Sequence, residues 1–464
     1  MARTLFDKLW DAHKVVDVGD GADLLAIDRV VLHERTGGIA LKSLAEAGRD
    51  VRDPDRVFAI MDHIVSFRPG RGRDEARLPG GEQFITETRA LSKAAGLHLI
   101  DTDDPRQGIV HVVSPELGIA LPGVSLICPD SHTCSLGALG ALAWGVGSSD
   151  AEHAMATGAI RAKKPAQMRV SVHGTLGSAV TAKDLSLHLI SKFGAAGGSG
   201  MAIEFAGSAI NALPLEGRLT LCNMAVEFAA FTALIAPDDA TIASLMGKPF
   251  GPDDIQWIEA VSEWRQLFTD DDARFDQEIE IDAQDVAPMV TWGTSPEEAA
   301  PVSAHLPEAV EREVLEYMGL EPRDTLQDLK LHGAFIGSCT NGRLSDLRAA
   351  AAVLRHGRVA EGMRAVCVPG SKSVRAAAEA EGLDKVFINA GFEWGEPGCA
   401  MCFYAGGETF PPGSRVISST NRNFRGRQGP GVRTHLASPA TVAASAMAGC
   451  IADPRRILER QVAA

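Results

Sequence analysis

The chain has 464 residues, 45% of them hydrophobic, and a mean hydropathy of +0.01, so it can bury a normal core and is long enough for about three domains. Aromatic residues supply only 5%, which leaves Ala, Val, Leu and Ile to build that core. A formal net charge of −15 argues against a general nucleic-acid or membrane-surface binder.

Leu5, Leu9 and Trp10 at helical spacing predict a short amphipathic helix. Acidic residues interrupt this first segment, so it does not read as a signal peptide, and no stretch reaches about 18 uninterrupted apolar residues. Eight cysteines without an export signal point to a reduced, cytoplasmic protein. Residues 108–113 and 124–128 read as buried strands, and the Gly- and Ala-rich stretch 137–158 as closely packed helix. Lys163-Lys164-Pro165 marks a first boundary. Residues 168–173 alternate as a strand, 194–200 form a Gly-rich loop, and 221–230 an apolar helix. The loop lacks the Gly-Lys-Ser/Thr ending of a phosphate-binding loop and is read as structural. An acid-rich region from Asp253 to Asp285 closes the second unit. Beyond it come strands at 333–337, 364–368, 385–389 and 415–419, with helices at 343–356 and 373–382. The pattern predicts an α/β fold with a mostly parallel sheet wrapped by helices, divided as 1–165, 166–285 and 286–464.

Three cysteines stand out. Cys339 lies in Gly337-Ser338-Cys339-Thr340-Asn341, just past a predicted strand, and Cys399 and Cys402 form a CxxC after Pro397-Gly398. Three thiolates suggest an iron–sulfur cluster with one corner open to substrate, whereas an electron-transfer cluster takes four protein ligands. A redox dithiol at 399–402 would give Cys339 no role, and half a zinc site would want a fourth Cys or His at regular spacing. Cys128, Cys134, Cys222, Cys367 and Cys450 sit among apolar or small residues and read as buried small hydrophobes.

Other segments crowd acids, histidines and arginines together. Asp62-His63 follows an apolar run, His111 ends Gln107-Gly-Ile-Val-His, and Asp130-Ser131-His132-Thr133 follows a strand. Asn223 and Glu227 are four apart on one face of the predicted helix, and Asn421 to Arg427 form a cationic loop. A carboxylate beside an imidazole fixes its tautomer and raises its pKa, so the ring can pass a proton to a leaving hydroxyl. Arginine forks suit substrate carboxylates. Plainer roles exist for each: His111 as a core residue, the Asp62 and Asp130 segments as caps or turns, and 422–427 as a solvated loop or subunit contact.

Taken in order, Met61-Asp62-His63, Gln107 to His111, Asp130 to Thr133, Leu221-Cys-Asn-Met224 with Glu227, Thr291-Trp-Gly-Thr294, Gly337 to Asn341, Pro397 to Cys402 and Asn421 to Arg427 carry a family likeness. Over essentially its whole length the chain resembles the aconitase family, most of all the large subunits of bacterial 3-isopropylmalate dehydratases. The resemblance implies three α/β domains around a central [4Fe-4S] cleft, lacking the swivelling fourth domain of single-chain aconitases. It implies Cys339, Cys399 and Cys402 as cluster ligands, with one open iron serving as a Lewis acid. His63 with Asp62, His111 with Asp130, and His132 with Glu227 would be the acid–histidine pairs. Asn223, Asn421, Arg422 and Arg427 would position the cluster and the substrate carboxylates.

The reaction implied is a hydro-lyase isomerisation in leucine biosynthesis: a small hydroxy diacid loses water and regains it at the neighbouring carbon. A separate small subunit would supply the base and further substrate contacts. Three positions depart from the pattern. Ile39 falls where a substrate-contacting glutamine is expected after His33-Glu34-Arg35-Thr36, Pro129 stands where glycine is usual, and Cys134 where a small residue or threonine is usual. An apolar side chain cannot donate the glutamine's hydrogen bond, so a paralogue acting on citraconate/2-methylmalate or dimethylmalate is the alternative. An RNA-binding apoprotein, known among aconitase relatives, is disfavoured by the charge of −15.

Overall fold

The computed structural model describes residues 2–355 and 357–463. The chain divides into two compact units, each built from three segments. The first takes the chain up to His63, Glu82–Gly174 and Gly198–Asp282; the second takes Ile64–Gly81, Thr175–Gly197 and the chain from Ala283 onward. Among the described residues no helix is long and apolar enough to cross a membrane.

The first unit contains a five-stranded parallel sheet with the spatial order His98–Ile100, Val57–Ile60, Arg29–His33, Ser125–Cys128, Leu142–Gly145. Its strands carry continuous apolar runs, such as Val30–Val31–Leu32 and Val57 to Ile60, because both faces are covered. Val30 and Leu32 point into one buried cluster, with Val57, Ala59 and Ile127. Val31 points into the other, with Phe58, Ile60 and Leu126. In chain order the strands run 3-2-1-4-5. The connections therefore diverge between Arg29–His33 and Ser125–Cys128, the switch point at whose carboxyl edge open α/β sheets bind ligands. The same unit holds a four-stranded parallel sheet, Thr232–Leu234, Met201–Ala206, Ala166–His173 and Gln277–Asp282. The amino-terminal helix is Leu5–His13, with Leu5, Phe6, Leu9 and Trp10 buried.

The second unit repeats the strand order. Its parallel sheet runs Phe392–Trp394, Arg364–Cys367, Gly333–Ile336, Arg415–Ser418, Arg433–Leu436, again 3-2-1-4-5, with its switch point between Gly333–Ile336 and Arg415–Ser418. Phe335, Val366, Val416, Met401 and Phe410 share one core.

Several readings of the sequence need correction. Residues Val110–Glu116 form a helix where a strand was expected over 108–113. All of Val110 to Pro115 is buried, so the periodicity that would separate helix from strand is missing. The expected strand at 385–389 is part of a helix, Leu383–Ala390, which buries Leu383, Phe387 and Ala390 at i, i+4 and i+7 and leaves Ile388 53% exposed. The stretch 137–158 is not one helix: 3-10 turns end at Leu139, the strand Leu142–Gly145 completes the sheet, and only Ser148–Thr157 is α-helical. The apolar helix expected over 221–230 is Leu215–Met224, followed by a 3-10 turn at Ala225–Phe228 that carries Glu227. The helix expected over 343–356 is Leu344–Leu354; residue 356 lies outside the described residues. Of the five cysteines read as buried hydrophobes, Cys450 is only half-buried.

Candidate active site

In the first unit, the chain leaving three adjacent strands at their carboxyl ends gives His33-Glu34, Asp62-His63 and Asp130. Glu34 Oε2 accepts the Asp62 backbone N–H at 3.0 Å. Asp62 Oδ2 accepts the Val110 N–H at 2.8 Å, and Gln107 Nε2 donates to the Met61 carbonyl at 2.8 Å. The free Val110 N–H at the start of the Val110–Glu116 helix is thus used to fix the Asp62 turn. Gly145 serves the same site, because a Cβ there would come within 2.6 Å of the Asp130 carbonyl.

These anchors set up a proton network. His63 Nδ1 lies 2.6 Å from Asp62 Oδ1, and its Nε2 lies 3.1 Å from Asp130 Oδ2. His132 Nε2 lies 2.9 Å from Glu227 Oε1, and its Nδ1 3.5 Å from Asp130 Oδ1. His111 approaches Asp130 only to 3.9 Å through Nδ1, while its Nε2 meets Thr133 Oγ1 at 3.2 Å. Asp130 is therefore shared by three imidazoles, and its nearest imidazole contact is His63. It also caps the following 3-10 turn, since Oδ1 accepts the His132 N–H at 2.7 Å. Asn223, fully buried, donates to Ser135 Oγ at 2.8 Å, and Ser135 Oγ donates to the His132 carbonyl at 2.5 Å.

Burial alone would raise the Asp130 carboxyl. Hydrogen bonds from His132 and His63, with the charges of His111 and His132, outweigh it and hold Asp130 well below the usual carboxylate range. Burial lowers His111 to about 4 despite the pull of Asp130, and lowers His33 likewise to about 4. At neutral pH Asp130 is ionised, and His111 and His33 are neutral. Side-chain ligand atoms of His33, Glu34, Asp62 and His63 lie within 4.8 Å of one another, a set a metal ion could use. Both oxygens of Asp62 and both ring nitrogens of His63 are already engaged in the contacts above. A cavity of about 560 Å³ in this unit is lined by Pro129, Asp130, Ser131, Gly145, Asp150 and other residues.

In the second unit, Cys339 lies just past the end of Gly333–Ile336 and Asn421 just past Arg415–Ser418, on the two sides of the switch point. Asn421 Nδ2 donates to Cys339 Sγ at 3.5 Å, and Asn421 Oδ1 lies 3.7 Å from Cys402 Sγ. Cys402 Sγ also lies 3.5 Å from Ser338 Oγ and 3.6 Å from an Arg427 Nη. The Arg427 guanidinium stands over Phe403 and Phe424, 5.6 and 5.4 Å from the ring centroids. Cys339, Cys399 and Cys402 are all buried and all free thiols. Ser338 (φ 81°) and Ala400 (φ 48°), each adjoining one of these cysteines, adopt the left-handed backbone that L side chains avoid. Strain of that kind concentrates at functional sites. A Cβ at Gly337 would meet Phe335 Cζ at 2.8 Å, so only glycine admits the chain to this turn. Asp346 holds the turn's far end, accepting from Asn341 Nδ2 at 2.9 Å and from the Arg343 N–H at 3.0 Å. Three soft donors with an amide and a guanidinium turned toward their sulfurs suit an iron–sulfur cluster. Arg422 is half-buried in the same loop.

Sequence reasoning did not single out His33, Glu34 or Lys183 as parts of a site. Glu34 and Lys183 are fully buried ionisable groups, which is unusual without a specific purpose, yet burial is not visible in sequence. Lys183 Nζ donates to the carbonyls of Thr420 and, at 3.5 Å, Ser419, directly ahead of Asn421. Asn423 joins the loop to the Thr291-Trp-Gly-Thr294 motif, donating to Thr291 Oγ1 at 3.2 Å and the Gly293 carbonyl at 2.8 Å.

The chain matches the aconitase family (aconitate hydratase) over residues 7–449. A protein of Bradyrhizobium diazoefficiens described as 3-isopropylmalate dehydratase large subunit 1 is 50% identical over 464 residues, covering 98% of this chain and 96% of its own. The solved holo-form of aconitase X from Thermococcus kodakaraensis has a TM-score of 0.46 at 16% identity, over 90% of this chain and 89% of that one, a likeness too distant to bear on the chemistry. The chain belongs to the aconitase family.

Proposed function

We propose that the chain is the large, cluster-bearing subunit of a hydro-lyase that interconverts 2-isopropylmalate and 3-isopropylmalate by loss and readdition of water, as in leucine biosynthesis. The 50% identity to a 3-isopropylmalate dehydratase large subunit, sustained over nearly the full length of both chains, is the observation that carries this reading. Members of the aconitase family carry a [4Fe-4S] cluster, and here Cys339, Cys399 and Cys402 would hold it. When bound, its open iron supplies a Lewis acid to the substrate's hydroxyl and carboxylate oxygens.

The chain's own residues handle protons and orientation. Asp130, held ionised, keeps the rings of His63 and His132 oriented. His63 against Asp62, and His132 against Glu227, deliver the proton to the leaving hydroxyl and recover it from the entering water. His111, neutral at pH 7, serves as a hydrogen-bonding partner to the substrate or its water rather than as a charged acid. Arg422 and Arg427 present cations to substrate carboxylates, and Asn421 steadies the sulfurs. Asn223 positions the His132 turn through Ser135. A separate small subunit supplies the base that takes the carbon-bound proton.

A second reading, a dehydratase for 2-methylmalate or dimethylmalate, is favoured by Ile39, which lies 53% exposed in the helix Gly37–Glu46. The test is anaerobic reconstitution with the small subunit, followed by a panel of hydroxy diacids read through the absorbance of the unsaturated product. The highest kcat/KM on isopropylmalate supports the first reading, and preference for 2-methylmalate or dimethylmalate supports the second. Turnover of none would overturn both.

A further inference from the structure

We infer that His33 is a positioning residue for His63: its imidazole stacks on that of His63 and fixes the plane in which His63 presents one nitrogen to Asp62 and the other to Asp130. The inference rests on the proposed role of His63 in proton transfer.

The two rings lie nearly parallel, with centroids 3.8 Å apart and planes at 18°. His33 is itself immobilised. Only 2% of it is exposed, and its Nε2 lies 2.8 Å from Thr36 Oγ1 and 3.2 Å from the Pro129 carbonyl. The Thr36 hydroxyl spends its proton on that same carbonyl at 2.9 Å, so toward His33 it accepts. Nε2 therefore carries the His33 proton. Among the described residues the buried Nδ1 has no hydrogen-bond partner, so nothing there favours a second proton. His33 is thus a neutral ring of fixed orientation, anchored across the switch point to the residue preceding Asp130. Burial opposes its ionisation as well.

A neutral aromatic face is well suited to back a neighbour that gains and loses charge. It attracts an imidazolium through its π electrons and does not compete for the proton. A second titrating histidine at 3.8 Å would instead repel the charged form of His63. The groups facing His63 include Asp62, Asp130 and His33, with Glu34, His111, His132 and the buried Cys128 thiol around them. Each carboxylate fixes only a point on the ring edge, whereas the stack fixes the ring plane.

The test compares H33A, which removes the ring, with H33F, which keeps a flat face but none of the hydrogen bonds. Both are made in the full chain with its cluster and small subunit. H33A is expected to lower kcat roughly 10²-fold, the scale of a misplaced catalytic group, with a smaller change in KM. H33F is expected to recover most of that loss. In isotope-labelled histidine NMR spectra of the full chain, the His63 ring titration should shift in H33A and return toward the parent in H33F. Loss in H33F equal to that in H33A would overturn the inference, because the Thr36 and Pro129 hydrogen bonds would then be what matters. A parental pH profile and His63 titration in H33A would also overturn it. If H33A fails to fold, H33F decides alone, with near-parental kcat and titration upholding the stack and their loss rejecting it. An inactive parent would defeat the hydro-lyase reading instead, and the His63 titration would still judge the stack.

Discussion

The carboxylate of Glu34 accepts the backbone N–H of Asp62 at 3.0 Å, across 28 residues of chain, with both side chains wholly removed from solvent. Replacing Glu34 with alanine strands a buried amide, which costs about 1–3 kcal/mol. It also frees the turn that aims Asp62 at His63. Urea unfolding should report the loss of stability, and kcat should fall in parallel. E34Q keeps an acceptor oxygen and should lose less on both measures.

Asp130 is the carboxylate on which His63, His111 and His132 converge. D130N keeps the shape and removes the charge. The expected loss in kcat is about 10²–10⁴-fold, the usual contribution of general acid–base groups. The pH profile of kcat/KM should lose or displace its acidic limb, and a profile of parental shape would speak against the assigned proton route.

Cys339 and Cys450 make a matched pair of serine substitutions. C339S should lose the iron and sulfide bound after anaerobic reconstitution, whereas C450S, half-exposed and far along the chain, should keep parental content. N421A removes the amide that reaches Cys339 and Cys402 together, and its iron should dissociate faster on exposure to a chelator.

Acid stability has a definite sign. His33 and His111 titrate near 4 in the folded chain and His435 near 3, against 6.5 for an unperturbed histidine. Between pH 6.5 and about 4 the unfolded chain binds up to three more protons at these sites, so stability present at neutral pH is lost as pH falls. Asp184 works the other way, because burial raises it from 3.8 to about 6 and the folded chain keeps a proton that the unfolded chain releases. For these four groups the net is about two protons, or about 3 kcal/mol per pH unit between pH 4 and 6. D184N, which copies the protonated carboxyl, should steepen that loss in urea titrations run at several pH values.

Much of this arrangement is legible in the sequence itself. Three strands of the carboxy-terminal sheet, read at 333–337, 364–368 and 415–419, and the cysteine turn beyond the first of them follow from local alternation and from glycine, and they appear where expected within a residue or two. His111 shows where local reasoning stops. Its segment is buried on every side, so helix and strand give the same apolar run, and the deciding interaction is the Val110 N–H given to Asp62 from 48 residues away. The shared strand order of the two five-stranded sheets left no repeat in the sequence, because topology constrains which residues are apolar far more loosely than which strands are neighbours. His33 and Glu34 went unassigned for a related reason: their work lies in what they touch, and the spacing from 33 to 62 and 129 carries no periodic signal.

Lys183 reaches the carbonyls that precede Asn421 from more than 230 residues upstream, within a segment, Thr175–Gly197, that interrupts the first unit and belongs to the second. A ribosome emitting this chain therefore releases Lys183 long before the loop it must hold. Contacts of such sequence separation close slowly and come late in folding. A fragment beginning at Ala283 would carry all three cysteines proposed as cluster ligands yet lack the ammonium of Lys183 beside the carbonyls that precede Asn421, so the proposed cluster site cannot be excised whole as a contiguous piece.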